Sequence, residues 1–366
     1  MNTEALHNYP IVKQEYCVMR YKCVNCVAVC RARAVKAVPY YADSDCGATV
    51  DRLESKKAAF IEQESCERCG VCYQVCPTGA IEDKNAEAYM KEALSSAGEG
   101  KNIVFACTHT GLTTTLNSEL QTLNSELIFV PDLSIISWRD VFKIMSMGSP
   151  VMMFGCEDCA QTSHFKQMED IFANSCYEGV FRFYDNKEQV SGIGYQEVSD
   201  KGHILDENIL EQVITSYTGK IPFPGTAWVD IGERCTLCRN CANVCPTGAL
   251  RTKMKDGKTA LLYEHNLCKG CPICEKACPE RCITIDRRLR PDSLFTVDNK
   301  CEKNLLLCRG CDEIIATDAV FERIRNILTA HGQSAEQLEY CPDCKARGLG
   351  AGRNSSRVEE NSATLM

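Results

Sequence analysis

Cys66, Cys69, Cys72 and Cys76 are followed by Pro77, and the same phrase, Cys-x2-Cys-x2-Cys-x3-Cys-Pro, returns twice. The other complete copies are Cys235/Cys238/Cys241/Cys245-Pro246 and Cys268/Cys271/Cys274/Cys278-Pro279. A fourth copy is damaged: Cys23, Cys26 and Cys30 keep their places, but Arg20 stands where the first thiolate belongs and Arg31 where the proline does. Soft thiolates at this spacing suit an iron–sulfur cube, because one tight loop presents three ligands and a partner run supplies the fourth. Each such cluster carries one electron, so several in one chain point to a wire.

Competing uses of these thiols are weaker. Zinc knuckles do not carry three Cys at two-residue gaps followed by Cys-Pro. A disulfide scaffold calls for a signal peptide and a far shorter chain than these 366 residues with 27 Cys. Residues Met1 to Tyr16 hold neither an apolar h-region nor a twin-Arg pair, and no stretch approaches the roughly 20 apolar residues of a membrane span. A cytoplasmic protein without direct membrane insertion is therefore expected. Apolar residues make up 45% and charged residues 25%, with a net charge of −8 and no long basic run, which argues against a nucleic-acid partner. No DNA-binding helix pair is evident either.

The elements that must position the thiols follow from cysteine density and apolar period. The expected class is α+β multidomain: residues 1–95 and 223–292 as cluster modules, 100–222 as a Cys-poor α/β domain, 293–346 as a four-cysteine module and 347–366 as a disordered tail. Ile103–Ala106, Leu127–Val130 and Val151–Phe154 are short continuous apolar runs, as buried parallel strands require. Three helical stripes accompany them: Leu116, Leu120, Leu123 and Leu127; Trp138, Val141, Phe142 and Met145; Phe165, Met168, Ile171 and Phe172. The Pro-rich Ile221–Gly225 marks the exit. Asp256-Gly257, between two strand-like segments, predicts a hairpin.

Residues 223–292 resemble a bacterial two-cluster ferredoxin throughout. That resemblance implies one [4Fe–4S] cluster on Cys235, Cys238, Cys241 and Cys278, and another on Cys268, Cys271, Cys274 and Cys245. Cys282 falls where such ferredoxins carry a small apolar residue and is assigned to packing. The N-terminal module aligns in the same register. Cys66, Cys69, Cys72 and Cys30 form one set, while Cys23, Cys26 and Cys76 lack a corner. Cys17 is the favoured substitute, since a slightly longer loop still reaches the cube; Cys46, a three-iron cluster and an empty site are the alternatives. Arg20 beside a cluster should raise its potential. The total is three to four [4Fe–4S] clusters.

Cys107 follows the first apolar run, and Cys156 and Cys159 the third, so a parallel sheet gathers them at its carboxyl edge. Val104-Phe105-Ala106-Cys107, Phe154-Gly155-Cys156 and Cys159 resemble the iron–sulfur (delta) subunit of methyl-viologen-reducing hydrogenase, a resemblance that implies a [2Fe–2S] cluster here. The chain departs from that family: the first loop lacks a second Cys, and Pro131 and Asp132 stand where another belongs. His109, Asp132 and His164 are the candidate replacements, and a redox dithiol or a vestigial docking domain are the competing readings.

Cys308-x2-Cys311 and Cys341-x2-Cys344 resemble a zinc ribbon or rubredoxin-like site, with zinc the default ion. A helix over Ile314–Leu328, with Phe321, Ile324, Ile327 and Leu328 on one face, is expected between them. The leading function is an iron–sulfur electron-transfer subunit of a cytoplasmic, anaerobic oxidoreductase complex, itself non-catalytic. The resemblances imply a flavin-, hydrogenase- or molybdenum/tungsten-containing partner. Gly192-x-Gly194 and Gly348-x-Gly350-x-Gly352 lack a dinucleotide-site context. Two alternatives stand beside this reading: an enzyme reducing disulfides or thioesters with Cys107, Cys156 and Cys159, and a redox-sensing assembly factor.

Overall fold

The computed structural model describes residues 9–39, 57–110, 124–156, 159, 163–173, 179–184 and 207–349. Cys46, Leu116, Leu120, Leu123, Gly192, Gly194 and the tail from residue 350 onward lie outside them, as does the side chain of Arg20. The chain divides into two compact units. The first comprises 1–230, 240–251 and 263–298; the second comprises 231–239, 252–262 and 299–366. Among the described residues, no helix is long and apolar enough to cross a membrane.

The first unit begins with four short strands: β1 (Ile11–Val12), β2 (Val35–Pro39), β3 (Lys57–Ile61) and β4 (Ile81–Glu82). β1 pairs antiparallel with β4, and β2 with β3. The single-turn helices Asn25–Val29 and Val71–Val75 lie against each other between the strands. Their core is small, built from Met19, Val35, Ala59, Ile61, Val71, Val75 and Ile81, with the thiol loops packed around it. At roughly 1.5–3 kcal/mol per buried aliphatic side chain, so few residues leave little margin, and bound ligands become part of the fold.

Next come β5 (Asn102–Cys107), β6 (Ser125–Val130), β7 (Val151–Phe154) and β8 (Phe181–Tyr184), in the order β6-β5-β7-β8 and all parallel. Ile103 to Cys107 are fully buried, which explains their unbroken apolar run. Helix Trp138–Ser146 starts at a capping box between Ser137 and Asp140 and buries Trp138, Val141, Phe142 and Met145. Helix Ser163–Phe172 buries Phe165, Met168, Ile171 and Phe172. Leu127 belongs to β6, opposite Val104, and not to a helical stripe, because its side chain follows the strand period. β8 was not anticipated.

Helix Lys84–Gly98 packs on β5 and β6 through Ala86, Ala93 and Ala97, and Asp83 caps it by accepting from the N–H groups of Asn85 and Ala86. A boundary at residue 95 therefore cuts a helix that serves the parallel sheet. The Pro-rich exit is well anchored: Ile221 bridges to Leu289, and Phe223 packs against the rings of His164 and Phe165.

β9 (Trp228–Ile231) pairs with the later β12 (Ile283–Asp286). A further four-stranded sheet runs β10 (Leu250–Lys255), β11 (Lys258–Glu264), β13 (Val297–Leu307) and β14 (Ile314–Thr317). Asp256 and Gly257 join β10 to β11 with φ of 50° and 72°, as a primed hairpin turn demands. The expected helix over Ile314–Leu328 is corrected at its start. Ile314–Thr317 is strand, and Thr317 caps a helix spanning Asp318–Ala330. That helix has no buried residue; Ile324 and Ile327 are 40% and 47% exposed.

Candidate metal centres

Four thiols meet in the N-terminal module where the sequence motif supplies only three. Two short turns, Gln14–Tyr16 and Val18–Tyr21, flank Cys17 and bring it to β3, where the Ala59 N–H donates to its sulfur at 3.4 Å. Cys17, Cys23, Cys26 and Cys76 line one small cavity together with Ala59 and Pro77. Burial pushes the Cys26 thiol up to about 12, and the neighbouring Cys23, Cys17 and Cys76 add to the rise. Burial likewise raises Cys23, partly offset by the backbone N–H of Asn25.

Cys30, Cys66, Cys69 and Cys72 form the adjacent set. Gly70 carries the loop at φ +73°, and a Cβ there would lie 2.4 Å from Ile135 Cγ1, so neither the conformation nor the space admits a side chain. Burial pushes Cys69 up to about 11, ahead of the charges of Asp132, Cys30 and Cys66. Cys72 rises through burial and then through Cys69 and Cys26, which sets the two groups side by side.

Cys245, Cys268, Cys271 and Cys274 also lie within the first unit. The Gly270 N–H donates to Cys268 Sγ at 3.5 Å, and the Leu250 N–H to Cys245 Sγ at 3.5 Å. Burial pushes Cys271 up to about 12, and the strongest thiol acting on it is Cys23 of the N-terminal module. Polar ties hold these loops together. Arg139 donates to the carbonyls of Asn266 (2.8 Å), Gly225 (3.2 Å) and Cys268 (3.1 Å), and burial lowers it to about 10. Lys269 Nζ donates to the Gln74 carbonyl at 2.8 Å; burial, and then the Arg139 charge, lower it to about 8. Sequence reasoning found none of these ties, since a lone Arg or Lys carries no spacing signal.

Cys241 and Cys278 belong to the first unit, Cys235 and Cys238 to the second. Two thiols outside the motifs adjoin these. Cys282 is buried, with its Sγ 3.5 Å from Cys278 Sγ. Cys301, on β13, is pushed up to about 11 by burial and then by Cys235.

Two groups of ligating side chains gather more tightly, all donor atoms within 4.8 Å of one another among the described residues. One is Cys308, Cys311, Cys341 and Cys344. Burial raises Cys308, but N–H groups of Cys341 and Gly310, 3.2 and 3.3 Å from its sulfur, outweigh this and bring it to about 6. Cys344 is pushed up to about 12 by burial and then by its hydrogen bonds to Cys311 and Cys308.

The other is Cys107, Cys156 and Cys159 at the carboxyl edge of the parallel sheet. Cys107 Sγ lies 3.6 Å from Cys156 Sγ, which lies 3.7 Å from Cys159 Sγ. A hydrogen bond from Cys159 holds the Cys107 thiol below its ordinary range, and the same bond raises Cys159. Of the candidate replacements, His109 Nδ1 is 3.5 Å from Cys107 Sγ. Asp132 instead accepts from the Ser134 N–H at 2.8 Å, and its charge acts on both Cys159 and Cys69. His164 is 2% exposed and packs against Phe165 and Phe223, and burial lowers it to about 3; it is a core residue outside the thiol group.

Thiols gathered in buried loops, glycines where loops approach closely, and N–H groups aimed at sulfur are what an iron–sulfur cube needs from its protein. The family described as 4Fe-4S binding domain matches residues 59–82 and 229–251. The chain is 31% identical over 158 residues to the Hydrogenase-2 operon protein HybA of Escherichia coli O157:H7, covering 38% of this chain and 44% of that protein. Similarity to the uncharacterized ferredoxin-like protein YdhY of Escherichia coli (strain K12) is 33% over 63 residues, 17% of this chain and 29% of the other. Ferredoxin-type protein NapF of the same strain is 26% identical over 113 residues, 31% of this chain and 67% of NapF. The chain spans less than half the length of HybA. It contains 4Fe-4S binding domains and is distantly similar to ferredoxin-type proteins.

Proposed function

We propose that the chain is an iron–sulfur electron-transfer subunit of a cytoplasmic, anaerobic oxidoreductase complex, relaying single electrons between a donor and a catalytic partner. The observation that carries this reading is the succession of thiol sets in the first unit. Cys30/Cys66/Cys69/Cys72 adjoins Cys17/Cys23/Cys26/Cys76 through Cys72 and Cys26, and the latter adjoins Cys245/Cys268/Cys271/Cys274 through Cys23 and Cys271. Cys235, Cys238, Cys241 and Cys278 complete a fourth set by the ferredoxin pattern.

Bound [4Fe–4S] clusters supply reversible one-electron carriage. The protein's part is to hold them close and dry. Buried thiol loops exclude water, backbone N–H groups favour thiolate over thiol, and Arg139 and Lys269 place positive charge where two sets meet. Cys308, Cys311, Cys341 and Cys344 hold a structural zinc in the same reading. Among flavin-, hydrogenase- and molybdenum/tungsten-containing partners, a hydrogenase has the added support of the name of HybA.

The test is anaerobic purification with iron and sulfide analysis and a redox titration followed by EPR. Four cubes give about sixteen irons per chain, about eight would rule out two intact ferredoxin modules, and none would sink the reading. Stoichiometric co-purification with a redox subunit supports the wire, whereas sub-stoichiometric capture of an immature apo-enzyme supports an assembly factor.

A further inference from the structure

We propose that Cys107, Cys156 and Cys159 bind one zinc-type ion, not a two-iron cluster. The spacing of the sulfurs is the first reason. A zinc–sulfur bond of about 2.3 Å in a tetrahedron places two sulfurs about 3.8 Å apart. The observed separations are 3.6 Å and 3.7 Å, and all three sulfurs lie within 4.8 Å of one another. In a [2Fe–2S] cluster each iron takes only two protein ligands, so three mutually close thiols cannot be shared between two irons.

The ligand count agrees. Pro131 and Asp132 follow β6 directly, and Asp132 caps the turn Leu133–Ile135 and is not part of the thiol group. His109 Nδ1 reaches Cys107 Sγ, yet the imidazole is not part of the group whose atoms all lie within 4.8 Å. It is exposed and positions Cys107 from outside, so three thiols are the donors gathered here among the described residues.

The frame is rigid where the ion would sit. Cys107 is fully buried at the end of β5, Thr110 Oγ1 donates to its carbonyl at 2.7 Å, and Gly155 is locked between Phe183 and Leu133, each about 3 Å from where its Cβ would be. Binding a divalent ion releases the thiol protons and involves no electron transfer.

The test compares metal content of the anaerobically purified full chain with that of Cys156→Ser. Loss of one zinc per chain with iron and sulfide unchanged is expected. Loss of two irons and two sulfides with zinc unchanged overturns the proposal. So does a Cys107–Cys156 disulfide found by mass spectrometry with no zinc lost. His109→Ala should retain the zinc; its loss would make the imidazole a ligand and refute a site built on the three thiols. Should Cys156→Ser fail to accumulate, zinc-edge X-ray absorption of Cys344→Ser, which lacks the tail site, answers the same question. Zinc with at least three sulfur neighbours supports the proposal, and absence of zinc refutes it. The outcome is independent of the electron-transfer reading, which the iron count decides.

Discussion

The side-chain amide of Asn25, next to Cys26, donates to the backbone carbonyl of Lys269, next to Cys268, at 2.9 Å. One short bond thus joins two thiol loops that are far apart in sequence. Asn25→Leu leaves that carbonyl unpaired and should cost about 1–3 kcal/mol. The expected signature is a lower unfolding midpoint and slower equilibration between clusters in pulsed reduction, with iron content unchanged.

Cys17 lines the same small cavity as Cys23, Cys26 and Cys76, where the damaged motif is one thiol short. Cys17→Ser should convert one cube to a three-iron cluster or empty it, read as a fall of one to four irons per chain and a new EPR signal in the oxidised protein. Arg20→Cys in the Cys17→Ser background restores the complete motif and should return the iron. A Cys17→Ser protein with full iron and an unchanged spectrum would remove Cys17 from the ligand set.

Gly70 and Gly79 both adopt positive φ, +73° and +66°, but only Gly70 is crowded, by Ile135. Gly79→Ala should cost about 1 kcal/mol from the backbone alone, and Gly70→Ala several times that, with loss of iron from the Cys66 loop. Ile135→Ala should rescue part of the second effect and none of the first. Thermal unfolding and iron content check both.

Stripping zinc from the tail group with a chelator should expose the second unit to protease between residues 299 and 349, while visible iron–sulfur absorption persists. Cys344→Ser should reproduce this without chelator. Cleavage at the same rate in the zinc-loaded and stripped proteins would contradict a structural ion.

Legibility in the sequence tracked the strength of local period. The strands at Ile103 and Val151 could be read because parallel strands buried on both faces must be apolar at every position, and the edge strand at Leu127 keeps the same apolar run though Phe129 is exposed. Asp256-Gly257 announced its turn because few residues tolerate positive φ at both central places. Helix Lys84–Gly98 escaped notice because its inward face is largely alanine, which gives little apolar contrast. The opposite failure occurred at Phe321, Ile324, Ile327 and Leu328, where a clear stripe stays unburied, since a period shows amphipathicity and not a partner. Cys301 and Cys282 stand outside every motif, and only folding places them beside Cys235 and Cys278.

Arg139 also bears on the order in which the protein can be made. Its guanidinium is satisfied by carbonyls 86 to 129 residues later in the chain. A cation held that deeply without acceptors is costly, so helix Trp138–Ser146 settles only after the ribosome has passed Cys268. All eight thiols of the first two sets lie within residues 17–76, whereas the Asn25 amide finds its Lys269 carbonyl only once the third set has been made.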